Sequence, residues 1–160
     1  MRCTRQMKKG IIAAAAVCML VFVGACGNDS TTKDTDKKAE TAVTEHVTKT
    51  VNNIDMKIGT IKTTESTTKN KNMVSIDMSF LNNDSSDVGV GAADFKIKSD
   101  GKTYEVYPQG NNFGDMFKPN AKLEGKAYFE LPTSVKKGTL VYAPMDKEQA
   151  SWSIVIPAAK

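Results

Sequence analysis

The chain has 160 residues, enough for one domain with flanking segments, and carries 22 basic against 18 acidic side chains for a formal charge of +4. Arg2, Arg5, Lys8 and Lys9 precede residue 26 and no acidic residue does, so the remainder holds 18 of each sign and lacks the basic footprint of a nucleic-acid binder. Cys3, Cys18 and Cys26 are the only cysteines and His46 the only histidine. Residues 51–160 therefore exclude disulfides, thiolate metal sites, cysteine nucleophiles, Ser-His-Asp triads and ordinary zinc sites.

Residues 1–25 run from a basic start through an apolar stretch at 11–23 to the small residues Gly24 and Ala25, the order of a secretory signal peptide. The apolar stretch is short of the about 20 residues that a membrane-spanning helix needs. Val23-Gly24-Ala25-Cys26 closes it, and this tetrapeptide resembles the lipobox of bacterial lipoproteins at positions −3 to +1. The resemblance implies that Val23, Gly24 and Ala25 are recognised by a lipoprotein signal peptidase. It also implies that the Cys26 thiol receives a diacylglycerol and becomes the mature N-terminus. Two acyl chains suffice for stable anchoring, each buried CH₂ contributing about 0.8 kcal/mol. The expected location is the outer face of the bacterial cytoplasmic membrane.

Residues 26–50 follow as a lipid anchor and tether, rich in Thr, Lys, Asp and Glu with Val43 and Val47 as the only sizeable apolar side chains. Such a composition cannot offset the entropy of ordering, which predicts disorder. A flexible chain of this length reaches roughly 25 Å. His46, in this segment, is expected to be solvated rather than a ligand or base.

The folded domain is expected over 51–160. Ile54, Met56 and Ile58 alternate with Asp55 and Lys57, the period of a half-buried strand. Residues 63–72 read as a polar connection. Val74, Ile76, Met78 and Phe80 then alternate with Ser75, Asp77 and Ser79, and the polar run 82–87 stops that strand through its turn chemistry. A short segment at Val88 and Val90 leads to Phe95 and Ile97. Asp100-Gly101 predicts a hairpin into Tyr104 and Val106. Pro108, Gly110 and Gly114 mark a loop that contains Phe113, Met116 and Phe117. Further strands are expected through Ala127, Phe129 and Leu131, through Leu140 and Tyr142, and through Trp152, Ile154 and Ile156. One helical turn is expected near 145–150. About seven or eight short strands without helical periodicity define an all-β antiparallel sandwich.

The order of these segments carries a second resemblance: Phe80-Leu81-Asn82-Asn83, Asp94-Phe95 leading to Asp100-Gly101-Lys102 and Tyr104, Gly125-Lys126 to Phe129-Glu130-Leu131-Pro132, and Leu140-Val141-Tyr142. Together they are similar to a domain of unknown function found in lipoproteins of Gram-positive bacteria and related to the mycobacterial immunoprotective extracellular antigen. The resemblance covers about residues 54–157 and implies an immunoglobulin-like sandwich, exported, without established activity. Many members carry Pro-Gly where this chain has Pro119-Asn120, and Asn also tolerates a left-handed turn.

Candidate chemistry is sparse. Asp84, Asp87 and Asp94 match no calcium-loop spacing, and turn formation accounts for them. No catalytic residue, metal site or cofactor is expected. Phe113 and Phe117 are the candidate binding patch if exposed, or the cap on one end of the sandwich if not. The expected function is a non-enzymatic, lipid-anchored module that binds a protein, peptide or cell-wall ligand through loops or a sheet edge. A structural or envelope-stress lipoprotein without a specific ligand is the alternative, and a hydrolase of unrecognised arrangement ranks below both.

Overall fold

The computed structural model describes residues 46–160. The expected signal peptide at 1–25, the lipobox-like Val23-Gly24-Ala25-Cys26 with its expected lipidation at Cys26, and the expected tether as far as residue 45 lie outside the described residues. Ten strands build the domain: β1 (Lys49–Val51), β2 (Ile54–Glu65), β3 (Lys71–Asn82), β4 (Val88–Gly91), β5 (Phe95–Ser99), β6 (Lys102–Glu105), β7 (Gly114–Phe117), β8 (Lys122–Pro132), β9 (Lys137–Tyr142) and β10 (Ala150–Val155). All pair antiparallel, in one sheet of order β1-β2-β3-β8, a second of order β10-β9-β5-β6, and the ribbon β4-β7. The fold is the β-sandwich that the alternation predicts. Two strands are additional: β1, which begins in the last two residues assigned to the tether and ends at Val51, and β7, inside the predicted loop.

Strand β3 is the spine, alternating without a break along its whole length so that Val74, Ile76, Met78 and Phe80 are buried. Its partner β2 is interrupted. Ile54, Met56 and Ile58 face inward, but a bulge between Ile58 and Ile61 inserts a residue and shifts the phase, so Thr63 is the buried residue beyond it. That shift is why residues 63–65 read as loop by composition yet continue the strand. The true connection between β2 and β3 is only residues 66–70.

Local turn chemistry closes the hairpins. Asn52 and Asn53 both have positive φ between Val51 and Ile54, and Asp100 (φ 48) with Gly101 (φ 74) does the same between Ser99 and Lys102. These are two-residue turns of the mirror-image type that suits strand twist. Asn120 also takes a left-handed φ of 60, as the Pro119-Asn120 sequence predicts. No regular helical turn forms at 145–150: the chain makes a tight turn at Pro144–Asp146 in which Met145 (φ 52) and Asp146 (φ 62) are left-handed, and Ala150 already starts β10.

The core lies between the two four-stranded sheets. Met56, Val74, Ile76 and Phe129 from one meet Phe95, Ile97, Leu140 and Trp152 from the other. Phe80 and Phe95 touch across the gap with ring centroids 6.0 Å apart, and Phe95 meets Tyr142 at 5.0 Å. The chain enters the domain beside β10: the Trp152 indole N–H donates to the Val47 carbonyl at 2.9 Å, and Lys49 stands over the Trp152 ring.

Asn82, at the end of β3, is fully buried. Its side-chain amide donates to the carbonyls of Ser86 and Phe117, and its side-chain oxygen accepts from the Asp84 N–H. A buried amide with every partner in place ties β3 to β7 and to the turn before β4. Gly125 on β8 is required for a different reason: a Cβ there would collide with Cβ of Phe113. Gly125→Ala is expected to destabilise the domain by about 1 to 3 kcal/mol, as overpacked cores do. In a thermal or urea unfolding cycle with Phe113→Gly, the two losses should be strongly non-additive, because the second change removes the Cβ that the first one meets.

Candidate functional site

Phe113 and Phe117 do not form an exposed patch. Phe117 is 6% exposed, and Phe113 packs on the core with its ring 5.1 Å from Phe80 and 6.0 Å from Phe95. The cause is pairing: β7 bonds to β4 in register Val88↔Phe117, which turns Phe117 inward, and the Phe113 N–H donates to the Lys126 carbonyl and draws its ring over Gly125. The apolar residue that β7 leaves in solvent is Met116, opposite Gly89.

The loop before β7 lies along the outer edge of β8. Tyr107 N–H donates to the Tyr128 carbonyl at 2.6 Å, the Tyr128 N–H donates to the Asn112 side-chain oxygen at 2.9 Å, and the Asn112 amide returns to the Tyr107 carbonyl. Asn112 and Phe113, in the stretch expected to be a loop, are thus bonded to β8 and to the loop itself.

Acidic residues singled out in the sequence serve the turns. Asp84 accepts from the Asn53 side chain and the Ser86 N–H, contacts that hold its carboxyl below the usual range. Asp94 accepts from the Gly91 N–H at 3.0 Å. The two are committed to different turns.

Two surface features remain. Across the outer face of β2, β3 and β8, Lys57, Asp77, Ser79, Glu124 and Lys126 rim a shallow depression of about 510 Å³, in which Lys126 pairs with Asp77. Its walls are open to water, so individual charge contacts there are worth little. On the second sheet, residues 143–149 fold back over the outer face. Lys96 grips Asp146 at 2.5 Å and Lys98 grips Glu148 at 2.8 Å. Val141 faces outward opposite Lys96 and Ser151 yet is 1% exposed. Hydrogen bonding to Asp146, with Glu105 second, raises the Lys96 ammonium, and the same contact lowers the Asp146 carboxyl. Burial raises the Tyr142 phenol.

A family model described as a domain of unknown function, DUF4352, matches residues 36–151. The chain belongs to the DUF4352 family. No curated protein matches it. Among solved structures, ycdA of Bacillus subtilis, assigned as a lipoprotein, superposes on this DUF4352 domain with a TM-score of 0.57 and 17% identity. That match covers 68% of this chain and 38% of ycdA, so the chain spans well under half of that protein. The secreted protein MPT63 of Mycobacterium tuberculosis matches with a TM-score of 0.51 and 15% identity, over 68% of this chain and 92% of its own. Likeness at this identity establishes a shared sandwich.

Among the described residues the most strongly shifted carboxyl is Glu130, lowered to about 2 by Lys71, with hydrogen bonds from Thr68 and Ser66 adding to the effect. The Lys71 ammonium and the Ser66 hydroxyl both stand 2.7 Å from its oxygens. Because the folded pKa is depressed, this group adds stability above the unfolded carboxyl range and loses it as pH falls from about 4.5 toward 2. Glu130→Gln should therefore flatten that acid limb in a plot of unfolding midpoint against pH, with little change at neutral pH beyond a constant offset.

Proposed function

We propose that this protein is an extracytoplasmic lipoprotein held at the outer face of the bacterial cytoplasmic membrane by Cys26, and that its sandwich is a non-enzymatic binding module. The observation that carries the location is the Val23-Gly24-Ala25-Cys26 lipobox behind a basic and apolar leader. The similarity to a protein assigned as a lipoprotein and to a secreted protein supports it.

The binding role is supported by the chemistry of the domain. Residues 51–160 lack histidine and cysteine. The shifted carboxyls of Asp55, Asp84, Glu130 and Asp146 are each held by a neighbouring hydroxyl, amide or lysine on the surface. Perturbed groups that converge in a cleft mark catalysis, whereas these are dispersed over separate turns and strands. An anchored domain of this kind acts by what it holds.

Mass spectrometry of the protein from its native membrane, wild type against Cys26→Ala, tests the anchor. The expected result is a mature N-terminus at Cys26 bearing acyl chains, absent from the variant. An intact leader or an unmodified released chain would overturn the location. For the binding role, tagged wild-type protein should retain a wall or membrane component that untagged protein competes away; retention that resists competition counts against it.

A further inference from the structure

We propose that the outer edge of β10, unpaired among the described residues, accepts an extended acidic and apolar segment of a partner protein as an added antiparallel strand. This deepens the binding-module reading and rests on it. A sheet edge presents unpaired N–H and C=O groups, and natural proteins shorten, charge or cover such edges to prevent unwanted pairing. Three of the four edges of the main sheets are protected in this way. Strand β1 has three residues, β8 lies under the loop that bonds Tyr107 and Phe113 to it, and β6 has four residues bounded by Lys102 and Glu105. Strand β10 is different: Ala-Ser-Trp-Ser-Ile-Val has six residues, no charge, no proline and an unbroken register with β9.

The ladder shows which groups are free. The Ile156 N–H donates to the Lys136 carbonyl at 2.8 Å, in line with the register that pairs Val155 with Lys137. Alternation along an antiparallel pair then turns the backbone groups of Trp152 and Ile154 toward β9 and those of Ser151, Ser153 and Val155 away from it. Ser153 and Val155 are exposed, Val155 to 55%.

The surroundings select the occupant. Val155 and Lys137 share the outer face as cross-strand neighbours, Lys136 is adjacent, and Lys49 stands over the Trp152 ring at 5.6 Å. None of these three lysines joins an ion pair among the described residues, and Glu148, before β10, is engaged by Lys98. An apolar valine bordered by uncompensated cations complements a strand that alternates apolar side chains with carboxylates, and opposes a basic one. Main-chain pairing supplies affinity, and the alternating side chains supply choice.

Trp152 is the only tryptophan and lies on this strand, so its fluorescence reports on the edge. The probe is the synthetic peptide acetyl-Val-Glu-Val-Thr-Val-Glu-Val-amide, titrated into the full-length detergent-solubilised protein, with amide hydrogen exchange read in parallel. A saturable fluorescence change, with slowed exchange at Ser151, Ser153 and Val155, is the expected result. Replacing both peptide glutamates by lysine should weaken binding by about tenfold or more. Ser153→Pro removes a donor that faces away from β9, so it should leave the thermal midpoint nearly unchanged and abolish binding, whereas Ser153→Ala should retain it. If Ser153→Pro does not fold, Ser153→Glu should weaken binding of the acidic peptide through like charge. No response to the peptide overturns the proposal. Saturable binding with protection elsewhere, or unaffected by the Ser153 variants, also overturns it while the binding-module reading stands. Protection of the same amides without peptide overturns it in favour of the chain itself, with a second copy indicated if that protection grows with concentration.

Discussion

The fold depends on one contact layer, the aromatic and aliphatic interface where Phe80 of β3 meets Phe95 of β5 and Phe113 wedges beside both. With no cysteine beyond residue 26, burial of that layer has no covalent help. Hydrophobic burial is non-directional, so the precise seat of each ring comes from the close approach that Gly125 permits and from the backbone bonds of the strands on either side. A domain of this length can bury enough apolar surface for the purpose. Its loops are recruited into the core because the sheets alone leave the ends of that layer open.

That recruitment shapes the surface. Aromatic residues that composition offers as recognition elements are used up in closing the sandwich, and the loop from Tyr107 to Phe113 is spent on covering the edge of β8. Among the described residues, what remains outside includes a set of lysine–carboxylate pairs, each of small worth in water, and the outer edge of β10, with which no described strand pairs. The connection over Val141 shows the same economy, since two lysines of β5 hold it down while Met145, at its tip, stands 95% exposed in a left-handed backbone conformation. Membership of the DUF4352 family and likeness to ycdA and MPT63 describe a scaffold. Function on a shared scaffold resides in such local features.

Much of the architecture was legible because it rests on short-range rules. Period-two alternation located β2, β3, β8, β9 and β10, and Asp100-Gly101 marked its hairpin by the ease of positive φ at glycine. The same rules misread residues 63–65, where a bulge reverses which face is buried, and passed over β1 and β7, which are too short and polar to show a period. Asn82 read as a turn former, although its amide is a buried junction among β3, β7 and the following turn. Only the partners it finds distinguish the two roles.

The sequence by itself determined the all-β class, the lack of cysteine and histidine in residues 51–160, and the lipobox-like tetrapeptide on which the proposed location rests. Each follows from local covalent pattern or composition. Tertiary structure alone decided that Phe117 is buried and Phe113 packs against the core, that β8 is covered, and that no described residue pairs with the outer edge of β10. Those outcomes depend on which strands pair and in what register, and pairing joins residues far apart in the chain whose side chains carry no mark of their future neighbours.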